Sequence, residues 1–141
     1  MPFRVLDHTA DVGVEVAAAS LAGLYEEAAR GLVDAITELE SVAPRQQRWL
    51  TAEAADRELL LVAWLEEVLY SFETTGFLAR EVQVDLAGGD GSPLRLAATV
   101  RGDTFEPRRH PQKVQVKAIT YHGLRVWEEG GEWRGRVIFD I

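Results

Sequence analysis

Two short stretches at opposite ends of the chain carry the residue types that could do chemistry: His8-Thr9-Ala10-Asp11 near the start and Asp140-Ile141 at the end. Asp11 sits in a polar break between two apolar runs, Phe3 to Leu6 and Val12 to Val16. Thr and Asp in such breaks often accept from nearby backbone N–H groups in ST and Asx turns, so one reading of Asp11 is a turn former. Asp140 closes the strand-like run Arg136 to Ile141, whose last two residues bring a side-chain carboxylate and the terminal one. Three carboxylates gathered in one place would hold a divalent cation. Oxygen donors favour a hard ion, Ca²⁺ first, with Mg²⁺ or Mn²⁺ as alternatives; His8 would add a nitrogen for a transition metal, or serve only as a hydrogen-bonding residue beside the turn.

The elements that must position these residues are limited by the size of the chain. With 141 residues, 47% of them hydrophobic, residues 1–141 suit a single domain with a real core. No cysteine is present, which removes disulfides and thiolate metal sites and fits a reducing compartment; the cytoplasm is the expected location. The start, Met-Pro-Phe-Arg, lacks the apolar run of a signal peptide, and the longest apolar run, Leu59 to Leu65, is too short to span a bilayer, so no membrane association is expected. A formal charge of -8 and a pI near 4.9 argue against direct nucleic-acid binding, which needs a basic face. Any link to nucleic acid runs through a partner.

Along the chain, Phe3–Leu6 reads as a short strand and Val12–Val16 alternates as a half-buried one. Ser20 caps a helix whose stripe is Leu21, Leu24, Tyr25, Ala28, Leu32 and Ile36. Arg48–Glu53 is a weaker strand with poor alternation. A second helix begins near Asp56, runs to about Glu73, presents Leu60, Leu61, Trp64, Leu65, Val68, Leu69 and Phe72 to the core, and stops at Thr74-Thr75-Gly76. The period then becomes two: Val82, Val84 and Leu86 alternate, Gly88-Gly89-Asp90-Gly91 turns the chain, and Leu94, Leu96, Ala98 and Val100 alternate in return. Residues 102–111, with two prolines and mixed charge, read as an exposed connection. Lys113–Val126 reads as one or two strands, and Gly130-Gly131 is a hairpin turn before Trp133–Asp140. If those glycines are the two central turn residues, Tyr121 faces Asp140 and His122 faces Phe139, which brings the chain end beside Lys117-Ala-Ile-Thr-Tyr-His122. The expected fold is α+β: one two-layer domain, two helices packed on a mixed, largely antiparallel sheet, with the first loop and the chain end meeting at one edge.

At these residues the chain resembles the archease family. The resemblance rests on His8-Thr9-Ala10-Asp11 with Gly13, Leu24 to Ala29, Leu60 to Tyr70 with its Trp-Leu pair, Lys117-Ala-Ile-Thr-Tyr-His122, and the ending Val137-Ile-Phe-Asp140-Ile141, and it spans the whole chain in order. It implies a protein cofactor rather than an enzyme: archeases assist RtcB, a GTP- and metal-dependent RNA ligase of tRNA splicing and RNA repair, by promoting its guanylylation and repeated turnover. The family's metal ligands carry over to Asp11, Asp140 and, through its terminal carboxylate or backbone oxygen, Ile141. Lys117 and His8 carry over as partner contacts. The chain departs from the family pattern after Gly102, where Asp103 stands in place of a frequent Glu.

Two other readings use the same features. A metal-dependent hydrolase or nuclease would place a catalytic cation on Asp11 and Asp140, with His8 or Lys117 as acid or base, but no Gly-rich phosphate loop or second His/Asp cluster accompanies them. A general chaperone or adaptor would need apolar surface beyond the stripes that a single core already accounts for.

Overall fold

Residues 11–141 are described by a computed structural model of the chain, in the order β1 (Asp11–Ala18), α1 (Leu21–Ile36), a 3-10 turn (Leu39–Ser41), β2 (Gln46–Ala54), α2 (Arg57–Thr75), β3 (Phe77–Ala87), β4 (Leu94–Thr104), β5 (Ala118–Glu129) and β6 (Glu132–Asp140). The expected strand Phe3–Leu6 and the candidate His8 lie outside these residues.

Both helices form where their caps direct. The Ser20 hydroxyl accepts from the Gly23 N–H at 3.0 Å, and the expected stripe Leu24, Tyr25, Ala28, Leu32 and Ile36 is buried. The Asp56 carboxylate accepts from the Leu59 N–H at 2.8 Å to start α2. That helix continues two residues past the expected end because Gly76, at φ 76°, supplies the left-handed residue that stops it. The helices are pinned together where the buried Trp64 Nε1–H donates to the Tyr25 carbonyl at 2.8 Å, satisfying the polar atom of the largest core side chain.

The α+β class holds, with the sheet resolved into two. Three strands pair as β1-β6-β5 and three as β2-β4-β3, and every pair among the described residues is antiparallel. Helix α1 contacts β1, β3 and β6, while α2 contacts β2, β3, β4 and β5, so the helices tie the sheets into one core. Strand β2 is regular: Leu50, Ala52 and Ala54 turn inward, and its alternation is masked in sequence because Trp49, 71% exposed, turns outward. In β3, Arg80 is an extra residue between the pairs Ala79–Gly102 and Glu81–Arg101. Gly102 is required there, since a Cβ would lie 1.8 Å from the Leu78 carbonyl oxygen.

Residues 102–111 form the exposed connection expected only in part: β4 runs on to Thr104, and most of 104–111 is exposed around two buried polar residues. Asp103 and His110 are buried, at 4% and 1% exposure. The Asp103 carboxylate accepts from the Thr104 N–H at 2.9 Å and from Arg109 at 3.0 Å, with Arg45 at 3.8 Å. Position 103 is therefore a structural anchor for the segment. The His110 Nδ1 accepts from the Glu106 N–H at 2.8 Å, so its proton sits on Nε2. The strand expected from Lys113 begins only at Ala118; before it, the Lys113 N–H donates to the Ile36 carbonyl at 2.9 Å, tying the segment to the end of α1.

Burial, reinforced by the Arg109 guanidinium, holds the His110 pKa below the ordinary histidine value of 6.5. The unfolded chain protonates first as pH falls, so the neutral ring contributes stability above pH 6.5 that is lost as pH drops toward the lower folded value. Urea unfolding at a series of pH values should show stability falling on acidification, and His110→Asn, which keeps an acceptor but cannot titrate, should flatten that slope. An identical slope in the variant would remove His110 as its source.

Candidate metal centre

Strand β6 is the middle strand of its sheet, with β1 on one side and β5 on the other. The ladder between β1 and β6 runs without interruption from Ala18–Trp133 to Asp11–Asp140. Its inward positions set Val12 opposite the buried Phe139 and Val14 opposite the buried Val137, which fixes the register: a slip of one residue would turn Phe139 and Val137 to solvent. Asp11 and Asp140 are consequently direct cross-strand partners, with Cα atoms about 4.5–5.5 Å apart and side chains on the same, outward face.

The outward rungs of this ladder contrast in charge. Glu15 faces Arg136, and their side chains meet in a two-pronged ion pair at 2.9 and 3.1 Å. Four residues along β1, Asp11 faces Asp140, two like charges with no cation at their rung among the described residues. Opposed carboxylates at about 5 Å repel by roughly 1 kcal/mol in water-like surroundings, less with added salt. In addition, Asp140 Oδ1 is buried and has no hydrogen-bond partner among the described residues. An orphaned buried acceptor beside a second carboxylate is an environment that a divalent cation relieves, and an all-oxygen donor set suits a hard ion.

The neighbouring residues brace this pair. The Lys117 N–H donates to the Asp140 carbonyl at 2.7 Å, and Ala118 is the β5 residue facing Asp140. Ile141 packs its side chain against the core, which anchors the last residue next to Asp140. Asp11, Asp140, Ile141 and Lys117 thus share one end of one sheet. Among the described residues no group of three His, Cys, Asp or Glu side chains is close enough to hold a metal, so Asp11 and Asp140 would supply only part of an ion's ligand set.

The expected pairing of Tyr121 with Asp140 and His122 with Phe139 is corrected. From the turn to Arg125–Arg136 the register is the expected one, but β5 then spends four residues, Tyr121 to Leu124, where β6 spends only Val137. Gly123, at φ 62°, allows the excursion, and past it Ala118 rather than Tyr121 opposes Asp140. Tyr121 and His122 stand out as an exposed bulge. Sequence reasoning also passed over Glu15 and Arg136, although their opposite charges on outward positions of two terminal strands would have identified the β1–β6 pairing.

Comparison with known proteins follows the same outline. Residues 3–141 match the Archease protein family (MTH1598/TM1083). The archease of Methanopyrus kandleri is 37% identical over 142 residues, and that of Archaeoglobus fulgidus 35% identical over 141 residues, each comparison covering 100% of both chains. Among solved structures, protein 1598 of Methanobacterium thermoautotrophicum superposes with a TM-score of 0.78 at 27% identity, covering 96% of each chain. An archease of Thermotoga maritima, described as a possible chaperone, has a TM-score of 0.66 over 99% of this chain and 97% of its own, and at 18% identity it supports the fold alone.

The like-charged rung generates a prediction of unusual sign. In chelator, Asp11→Asn should stabilise the protein by up to ~1 kcal/mol in urea unfolding, because it removes repulsion without removing bulk. With millimolar Ca²⁺ the order should reverse, the unsubstituted protein gaining stability and the variant gaining little. Equal gains from Ca²⁺ in both proteins would place the binding elsewhere.

Proposed function

The chain belongs to the archease family, and on that premise we propose that it activates an RtcB-type, GTP-dependent RNA ligase in tRNA splicing and RNA repair, promoting guanylylation and repeated turnover of the ligase. The observation that carries the proposal is the opposed pair Asp11 and Asp140, with a buried oxygen unpartnered among the described residues, at the end of a sheet that also holds Lys117 and Ile141. A divalent cation, Ca²⁺ first, bound to Asp11, Asp140 and Ile141 would neutralise this pair and stiffen the tip. The protein's own groups do the rest. An overall charge of -8 draws the tip toward the basic, metal-using mouth of a ligase and speeds encounter. Lys117, whose backbone already fixes the Asp140 carbonyl, offers its exposed ammonium to a carboxylate or phosphate at that mouth. The role is that of a protein cofactor, a specific form of the assistance implied when an archease is described as a possible chaperone.

A stand-alone hydrolase or nuclease would use the same two carboxylates but would have to turn over RNA or phosphoesters unaided. Both readings meet in one assay. Mixed with its cognate ligase, GTP and an excess of broken RNA bearing 2′,3′-cyclic phosphate and 5′-hydroxyl ends, the protein should yield many joined products per ligase molecule. Asp11→Ala and Asp140→Ala, shown by circular dichroism to be folded, should lower that number by about tenfold or more, equivalent to roughly 1.4 kcal/mol. Full turnover with both variants would sink the tip mechanism, and RNA cleavage by the protein alone would favour the hydrolase.

A further inference from the structure

The sheet that carries the carboxylate rung has a second unusual feature, the bulge in β5. Between the pairs Thr120–Ile138 and Arg125–Arg136, β5 spends Tyr121, His122, Gly123 and Leu124 against Val137 alone. The excursion is held at both ends. Ile119 before it and Val126 after it are buried, Leu124 packs against the core, and the His122 N–H donates to the Thr120 hydroxyl at 3.3 Å. Its direction is set as well: a Cβ on Gly123 would lie 3.7 Å from Ile138 Cδ1 and 3.8 Å from Arg136 Cδ, and both side chains occupy outward positions of β6. The bulge is thus set against the outward face, beside Ile138 and one outward position along β6 from Asp140. Opposite Ile138 on β1 stands Gly13, which adds no side chain to that face.

A bulge on an edge strand blunts that edge against pairing with another sheet, and β5 is an edge strand. That accounts for the interrupted ladder but not for the aromatic ring it carries. Among the described residues the large hydrophobic side chains left exposed are Trp49, Leu59, Tyr70 and Tyr121, and of these Tyr121, at 60% exposure, is the one on the sheet of the carboxylate rung. A tyrosine on backbone fixed at both ends brings a large apolar area and a hydroxyl to an interface while losing little side-chain entropy. We propose that Tyr121 is the anchor by which the tip docks on its partner protein, entering a pocket with a basic rim. The rim follows from charge. Asp11 and Asp140 lie beside the bulge and turn away nucleic acid and anionic membrane surfaces, and two copies meeting bulge to bulge would bring two such rungs together. A partner with cationic groups around a pocket of aromatic size meets neither obstacle. The inference rests on the ligase reading and adds a division of labour to it: the carboxylate rung governs turnover, and Tyr121 governs affinity.

The test uses the full-length protein and its cognate RtcB-type ligase. Tyr121→Ala should raise the dissociation constant measured by calorimetry, and the concentration giving half-maximal ligase activation, by about tenfold or more, with the maximal number of products per ligase molecule unchanged. Its urea unfolding should match that of the unsubstituted protein, because the ring is mostly exposed. Gly123→Ala keeps Tyr121 but strains the left-handed residue that forms the bulge, and should weaken binding in the same direction. Tyr70→Ala, which removes a similarly exposed ring from α2, should change neither quantity. If the unsubstituted protein activates the ligase and Tyr121→Ala matches it at every concentration, the anchor is overturned and the ligase reading stands. A lower maximum at unchanged half-saturation would also overturn it, assigning Tyr121 to turnover itself. Self-association lost in Tyr121→Ala by sedimentation would give the bulge to a second copy of the chain instead. An unsubstituted protein that neither binds nor activates the ligase would end the ligase reading and the anchor with it.

Discussion

The last strand of the chain is the middle strand of its sheet, and the rest of the molecule depends on that placement. A terminal strand at a sheet edge is free to fray, whereas β6 is hydrogen-bonded on both flanks, by β1 and by β5. Its register against β1 is set by Val137 and Phe139, whose burial would be forfeited by a slip of one residue. Each such side chain contributes roughly 1.5–3 kcal/mol when fully buried, comparable to or larger than the repulsion of the Asp11–Asp140 rung. Packing therefore dictates that the two carboxylates share a rung despite their like charge.

The helices make this affordable. Trp64 on α2 donates to the Tyr25 carbonyl of α1, and the two helices together reach all six strands. Neither sheet has to close its own core. Sheet β1-β6-β5 can end in a polar tip because the helices bury the apolar faces in between.

Charge is distributed with the same division. The net charge of -8 is not spread evenly: ion pairs neutralise much of the outward face of β1 and β6 and the segment after β4, while among the described residues the Asp11–Asp140 rung keeps unmatched carboxylates. Unneutralised acidic groups cost little in water and become useful only against a cation, whether a metal ion or a basic side chain.

The sequence by itself determined what short-range chemistry governs. Ser20 and Asp56 mark the helix starts, Gly76 marks a stop, period-2 alternation marks β3 and β4, and Gly130-Gly131 marks the last hairpin, because caps, left-handed residues and side-chain periodicity act over a few positions. It also singled out Asp11 and Asp140 as carboxylates at the two chain ends. Only the tertiary structure decided which strands pair. It put Ala118 opposite Asp140 through the excursion at Tyr121–Leu124, and buried Asp103 and His110 in a segment whose prolines suggested solvent. Those outcomes depend on groups many residues apart competing for the same core volume and hydrogen bonds, and no local period records the result of that competition.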